Sequence, residues 1–286
     1  MNMDRIKFSY YFGCRERVLA KEYTKLLDFL KNEGNSYDAI ELLEMFGEQQ
    51  LFENESETLE FVTLLKANGI SVSCHSVYID IYDNFDEAED YLKKQIDVAV
   101  NLGSPYLHHT LKPSLEITSS DTDTDALLRK GLPLLKNVAD YAKSKGIKML
   151  YEPQGMYFNG EGLKKLIDAL LGLGIENVGV CIDLGNTMFV DYTAEQSISD
   201  FMPYVCHVHI KDYKIVSDGE GDYRSAGGKC FYEIGYGQGN MKNDECIRTL
   251  LDAGYNGYFS TELNPRGSNS DDAGIDAISK IRKKWQ

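Results

Sequence analysis

Residues 142–153 read AKSKGIKMLYEP. A polar, lysine-rich helical stretch ends at Gly146, where a helix C-terminus calls for a left-handed residue, and a short apolar run then carries the chain into Glu152. The same joint of helix, glycine and strand recurs at residues 29–42 (FLKNEGNSYDAIEL), 64–76 (LLKANGISVSCHS), 99–109 (AVNLGSPYLHH), 170–183 (LLGLGIENVGVCID) and 250–263 (LLDAGYNGYFSTEL). Gly34, Gly69, Gly103, Gly174 and Gly254 hold the capping place in them. Joints of one kind imply repeated βα units. With KFSYYFG at 7–13 and VCHVHIKD at 205–212 there are eight candidate strands, which is what a (β/α)8 TIM barrel requires of a 286-residue chain. A doubly wound open sheet would place a glycine-rich phosphate-binding turn after its first strand, and FGCRERVLA at 12–20 is not one. No Ser/Pro-rich linker interrupts the chain, so residues 1–286 are expected to form a single barrel domain. Pro133, within the helical segment 126–146, is expected to break or kink it.

Composition narrows the class. No apolar run approaches the roughly 20 residues that cross a bilayer, and the first residues lack a signal-peptide pattern, so a soluble, cytoplasmic protein is expected. The six cysteines include no Cys-x-x-Cys pair, and Cys74, Cys181 and Cys206 lie in apolar strand-like runs, as reduced buried thiols do. A formal charge of −15 repels phosphate backbones, and the short basic end KIRKKW at 280–285 fits a helix C-terminus better than a nucleic-acid patch.

In a barrel of this kind function belongs at the C-terminal ends of the strands, and the unusual residues fall there. His75, His108, His109, His207 and His209 all lie at or near strand ends, and Glu152, Asp183 and Glu262 each close an apolar run. Singly, each has an ordinary reading as a hydrogen-bonded histidine, an N-cap or a turn former. Together, three carboxylates converging with an imidazole form a mixed N/O donor set suited to one Mn²⁺, Co²⁺, Zn²⁺ or Mg²⁺ ion, and without a cation they would repel one another. In HVHIKD, residues 207–212, His207, His209 and Lys211 share one face of the strand. His209, nearer the C-terminal end, is the expected ligand. His207 is expected one layer deeper, hydrogen-bonded, and Lys211 at the rim.

The order YEP, DLGN, His-x-His-x-Lys-Asp and TEL on successive strands resembles the xylose-isomerase-like barrel superfamily of sugar isomerases and epimerases. IGYGQGNM at 234–241 is similar to the Gly-x-Gly segment that family places after its seventh strand. Over the first half of the chain the resemblance rests on strand spacing and on His75. It implies Glu152, Asp183, His209 and Glu262 as ligands of a divalent metal, with Glu152 and Glu262 also the acid/base pair of a 3-epimerase. His75, His109, Asn186, Lys211 and Arg224 are the expected substrate-binding residues. Asn186 replaces the histidine usual in ketose 3-epimerases, and DLGN looks more like the ketose-phosphate epimerases. The implied activity is a metal-dependent isomerase or 3-epimerase of a ketose or ketose phosphate, working through an enediolate. The alternatives are an inosose dehydratase-like lyase, an apurinic endonuclease and a non-catalytic sugar-binding barrel. A small sugar is the expected partner, nucleic acid and membrane are not, and homo-oligomerisation is left open. Residues 215–239 read as a glycine-rich loop covering the substrate.

Overall fold

The computed structural model describes residues 6–33, 36–116 and 123–285 of the chain. Its strands, in chain order, are β1 (Lys7–Tyr10), β2 (Ala39–Met45), β3 (Ser71–Tyr78), β4 (Tyr106–His109), β5 (Lys148–Tyr151), β6 (Val178–Asp183), β7 (Val205–Ile210), β8 (Tyr213–Val216), β9 (Tyr223–Arg224), β10 (Cys230–Glu233) and β11 (Tyr258–Thr261). The helices are α1 (Phe12–Leu19), α2 (Tyr23–Asn32), α3 (Glu55–Ala67), α4 (Phe85–Leu102), α5 (Thr124–Ser144), α6 (Glu161–Gly172), α7 (Ala194–Phe201), α8 (Asn243–Asp252) and α9 (Ser270–Trp285). Strands β1 to β7 and β11 pair in parallel and close into a barrel in the order β1-β11-β7-β6-β5-β4-β3-β2. This is the (β/α)8 TIM barrel, and its eight strands are the eight apolar runs of the sequence.

Helices cover the outside of the sheet, so strands such as β6 are buried on both faces along their whole length. Gly69, Gly103, Gly146, Gly174 and Gly254 adopt φ of 69°, 70°, 76°, 76° and 87°, with open space where a Cβ would stand. Their requirement is therefore conformational rather than steric: they turn the chain left-handed between helix and strand. Gly34, the remaining glycine of this set, lies outside the described residues. Helix α5 runs through Pro133 without ending there. Its apolar face, including Leu127, Leu134, Leu135 and Val138, packs into the main core, which outweighs the one backbone hydrogen bond that proline removes.

The barrel interior changes character along its axis. Cys74, Leu150 and Cys181 form a small apolar plug with Tyr106 and Cys206 against it. Two residues further along their strands, the same face carries Ser76, Glu152 and Asp183. Beyond β7 the chain does not run as an irregular loop. Residues 213–233 fold into a three-stranded antiparallel sheet in the order β8-β10-β9, and Phe231 and Tyr213 pack on Met188 and Phe189 to give it a core of its own. The segment 215–239, expected as a loop, thus holds most of a small sheet. Among the described residues no helix is long and apolar enough to cross a membrane.

Candidate functional site

Four neighbouring barrel strands each present one donor at their C-terminal ends: Glu152 after β5, Asp183 on β6, His209 on β7 and Glu262 after β11. Pairing of β6 with β7 sets Asp183 opposite His209, and pairing of β7 with β11 sets His209 opposite Ser260, two residues before Glu262. One ligand-type atom from each of the four residues lies within 4.8 Å of the others. Asp183 and His209 are fully buried, Glu152 nearly so, and the Glu262 side chain is 13% exposed.

Local structure aims each group. Asp183 Oδ1 accepts hydrogen bonds from the backbone N–H of Gly185 (2.6 Å) and Asn186 (2.7 Å), which turns Oδ2 towards the cluster. Gly185 has to be glycine, because a Cβ there would come within 2.9 Å of Tyr213 and 3.0 Å of Lys211. Asn186 Nδ2 donates to Glu152 Oε1 (2.8 Å) and Gln154 Oε1 (2.5 Å), and Asn186 Oδ1 accepts from Lys211 Nζ (3.2 Å). Lys211 Nζ also lies 2.9 Å from Glu262 Oε1 and 3.2 Å from Asp183 Oδ2. His209 Nδ1 lies 2.8 Å from Glu262 Oε2 and 3.5 Å from Glu152 Oε1, and the Tyr11 ring packs against its imidazole at 5.3 Å.

The electrostatics are those of a site short of positive charge. Burial pushes the Asp183 carboxyl up to about 8; Lys211 opposes this, and Glu262 and Glu152 add to it. Burial alone would also raise Glu152, yet His209 and His108 hold it well below the usual carboxylate range. Lys211, which burial would lower, is held well above the ordinary lysine value by Asp183 and Glu262. Asp183 Oδ2, His209 Nδ1 and Glu262 Oε2 are buried and make no well-aligned hydrogen bond; their near contacts are with one another and with Lys211. Buried polar atoms are normally satisfied, so three such atoms facing one point, from two carboxylates and an imidazole, fit a bound divalent cation.

The structure also redistributes the expected residues. His75 points outward, to Gln95 of α4 (2.8 Å), and His109 packs its ring against Tyr151 and bonds the carbonyl of Thr110 (2.8 Å). Both stand on the outer face of the barrel wall, because side chains alternate along a strand, and neither reaches the cluster. Arg224 is exposed on β9, paired with Asp218 and the carbonyl of Gly228, also away from it. Lys211 lies not at an open rim but inside the cluster, 6% exposed. In exchange the site gains His108, whose Nε2 is 2.9 Å from Glu152 Oε2, and Glu41 of β2, fully buried beneath His209. Glu41 sits inside the apolar run AIELLEM, the same signal as Glu152, but in the middle of its strand, where a search of strand ends does not look. Asp212, closing HVHIKD, accepts from the backbone N–H of Gly237, Gly239 and Met241 and so ties down the segment after β10. At Gly239 a Cβ would meet the Asp212 carboxylate and the Tyr213 carbonyl, at 2.1 and 2.5 Å.

Several solved structures share this architecture. A xylose isomerase-like TIM barrel protein from Mycobacterium smegmatis in complex with magnesium superposes with a TM-score of 0.72 at 19% identity, covering 97% of this chain and 96% of that one. D-psicose 3-epimerase from Clostridium cellulolyticum H10, with D-tagatose, gives a TM-score of 0.74 at 15% identity over 97% and 99% of the two chains. The IOLI protein with a bound zinc atom gives 0.72 at 16% identity over 98% and 97%. At such identities the likeness is one of fold. No curated protein matches the sequence. The family profile of the xylose isomerase-like TIM barrel matches residues 27–284, which spans nearly all of the closed barrel, and the chain belongs to that family.

Proposed function

We propose that this protein is a divalent-metal-dependent isomerase or 3-epimerase of a ketose or ketose phosphate, working by proton transfer next to a carbonyl through an enediolate. The observation that carries this reading is the group of four buried, convergent donors that includes two glutamates, Glu152 and Glu262, whose strands are separated by β6 and β7. A divalent ion held by Glu152, Asp183, His209 and Glu262 would supply Lewis-acid polarisation of the sugar carbonyl and its neighbouring hydroxyl. The chain's own residues then divide the work. Glu262 is anchored through Oε1 by Lys211 and lies with Oε2 beside His209 Nδ1, placed to take or return a proton on one face of the sugar. Glu152, between Asn186 and His108, serves the other face. Lys211 and Asn186, already inside the cluster, are the side chains that meet the substrate's oxygens. A phosphorylated substrate is favoured only by the DLGN form of the strand-6 motif.

The test is solvent exchange. With Mn²⁺ and a panel of ketoses and ketose phosphates in D₂O, the wild-type protein should place deuterium at the inverted carbon. Glu152→Gln and Glu262→Gln should each label one epimer without interconverting the two, and the two variants should label opposite epimers. Inversion at near wild-type rates in both variants would reduce the glutamates to ligands, and loss of water from the substrate would assign a dehydratase instead.

A further inference from the structure

Beneath the four-donor cluster lies a second set of buried polar groups that the proposed reaction does not use. Glu41 Oε2 accepts from His207 Nε2 (2.7 Å), and Glu41 Oε1 accepts from His209 Nε2 (3.0 Å) and from Ser76 Oγ (2.5 Å). Glu41, Ser76, His207 and His209 are all fully buried. Ser76 gives its proton to Glu41, its Oγ lies 3.1 Å from His108 Nδ1, and His108 Nε2 in turn faces Glu152 Oε2 at 2.9 Å. One carboxylate therefore stands behind two of the four donors, directly behind His209 and through Ser76 and His108 behind Glu152.

Glu41, His207 and His209 could themselves be taken for a three-ligand metal site. The hydrogen bonds decide against it. Each imidazole Nε2 on that side already has the carboxylate as acceptor, whereas His209 Nδ1, on the other side of the same ring, faces Glu262 and Glu152 of the four-donor cluster, at 2.8 and 3.5 Å.

We propose that Glu41 is a positioning residue for the metal-binding side of the site: it takes the Nε2 proton of His209, so that the Nδ1 lone pair faces Glu152, Asp183 and Glu262, and through Ser76 and His108 it fixes Glu152. The proposal rests on the metal reading above. Buried ligating histidines need such an acceptor to set their tautomer and ring orientation, and losing it typically weakens metal binding about 10- to 100-fold.

Two measurements test it. In Zn²⁺-loaded wild-type protein, long-range ¹H–¹⁵N correlation spectra of labelled histidines should show His209 carrying its single proton at Nε2, a signature that a merely space-filling Glu41 would not impose. A proton on Nδ1 overturns the proposal. Mn²⁺ titration followed by electron paramagnetic resonance should then give Glu41→Ala a dissociation constant about 10- to 100-fold above wild type. Glu41→Gln can keep an oxygen towards His209 and Ser76 and should recover most of the affinity. Ser76→Ala removes one hydroxyl and leaves the imidazoles packed, so it keeps the question decidable should Glu41→Ala not fold, and a several-fold weakening is expected. Asp183→Ala is the control for the site itself. If wild type binds Mn²⁺ and Asp183→Ala does not, while Glu41→Ala and Ser76→Ala bind within twofold of wild type, the positioning role alone is overturned. A wild-type protein that takes up no Mn²⁺ overturns the metal reading and the proposal with it.

Discussion

His108 and His109 are neighbours in the chain that face opposite ways, one into the barrel towards Glu152 and the other out against Tyr151. The outward pair, His75 and His109, are buried imidazoles whose pKa burial lowers to about 4. Their folded values lie below the roughly 6.5 of an unfolded histidine, so the unfolded chain takes up the protons first. The stability they contribute is full above about pH 6.5 and is lost as the pH falls towards 4. Each proton adds a slope of up to about 1.4 kcal/mol per pH unit within that window. His75→Gln should therefore flatten the fall in stability between about pH 6.5 and pH 4 by as much as that amount. Urea unfolding of both proteins at matched pH measures it, and parallel curves would mean that His75 does not stay neutral when folded.

The sheet of β8, β9 and β10 is an element with its own packing. Phe231 is fully buried against Phe189 and Tyr213, in a cluster separate from the main core of strands and helices. Phe231→Ala should cost roughly 3–5 kcal/mol where it acts, and because that core is local, the cost should appear as local opening. Hydrogen exchange of residues 213–233 should speed up while the barrel strands stay protected and the thermal midpoint moves little. Uniform loss of protection would show instead that this sheet and the barrel unfold as one. The sheet was not legible in the sequence because β9 has only two residues and glycines interrupt the segment; β8 and β10 become strands only by pairing with each other. Asp212 and Gly239 do part of that pinning through contacts some 25 residues apart in the chain.

At the scale of the whole molecule, three carboxylates held together in a buried cluster make the folded chain the preferred binder of a cation, since unfolding scatters the ligands. Mn²⁺ at about 100 times its dissociation constant should stabilise the protein by about 2.7 kcal/mol, a rise in Tm of roughly 4–5 °C. Chelation should reverse the rise and Asp183→Ala should abolish it; an equal rise in Asp183→Ala would place the ion elsewhere. The barrel itself was readable from the sequence, because each helix-glycine-strand joint is a local signal: left-handed capping glycines and short apolar runs depend on near neighbours only. The three carboxylate donors were readable for a related reason, since a carboxylate closing an apolar run is costly without a partner wherever it occurs. The direction each strand-end side chain takes was not, because alternation leaves two faces open and only the register of the closed sheet chooses between them. That choice sent His75 and His109 to the helices and His108 to Glu152. It also set Glu41 beside His207 and His209, 166 and 168 residues along the chain, a meeting that only barrel closure brings about.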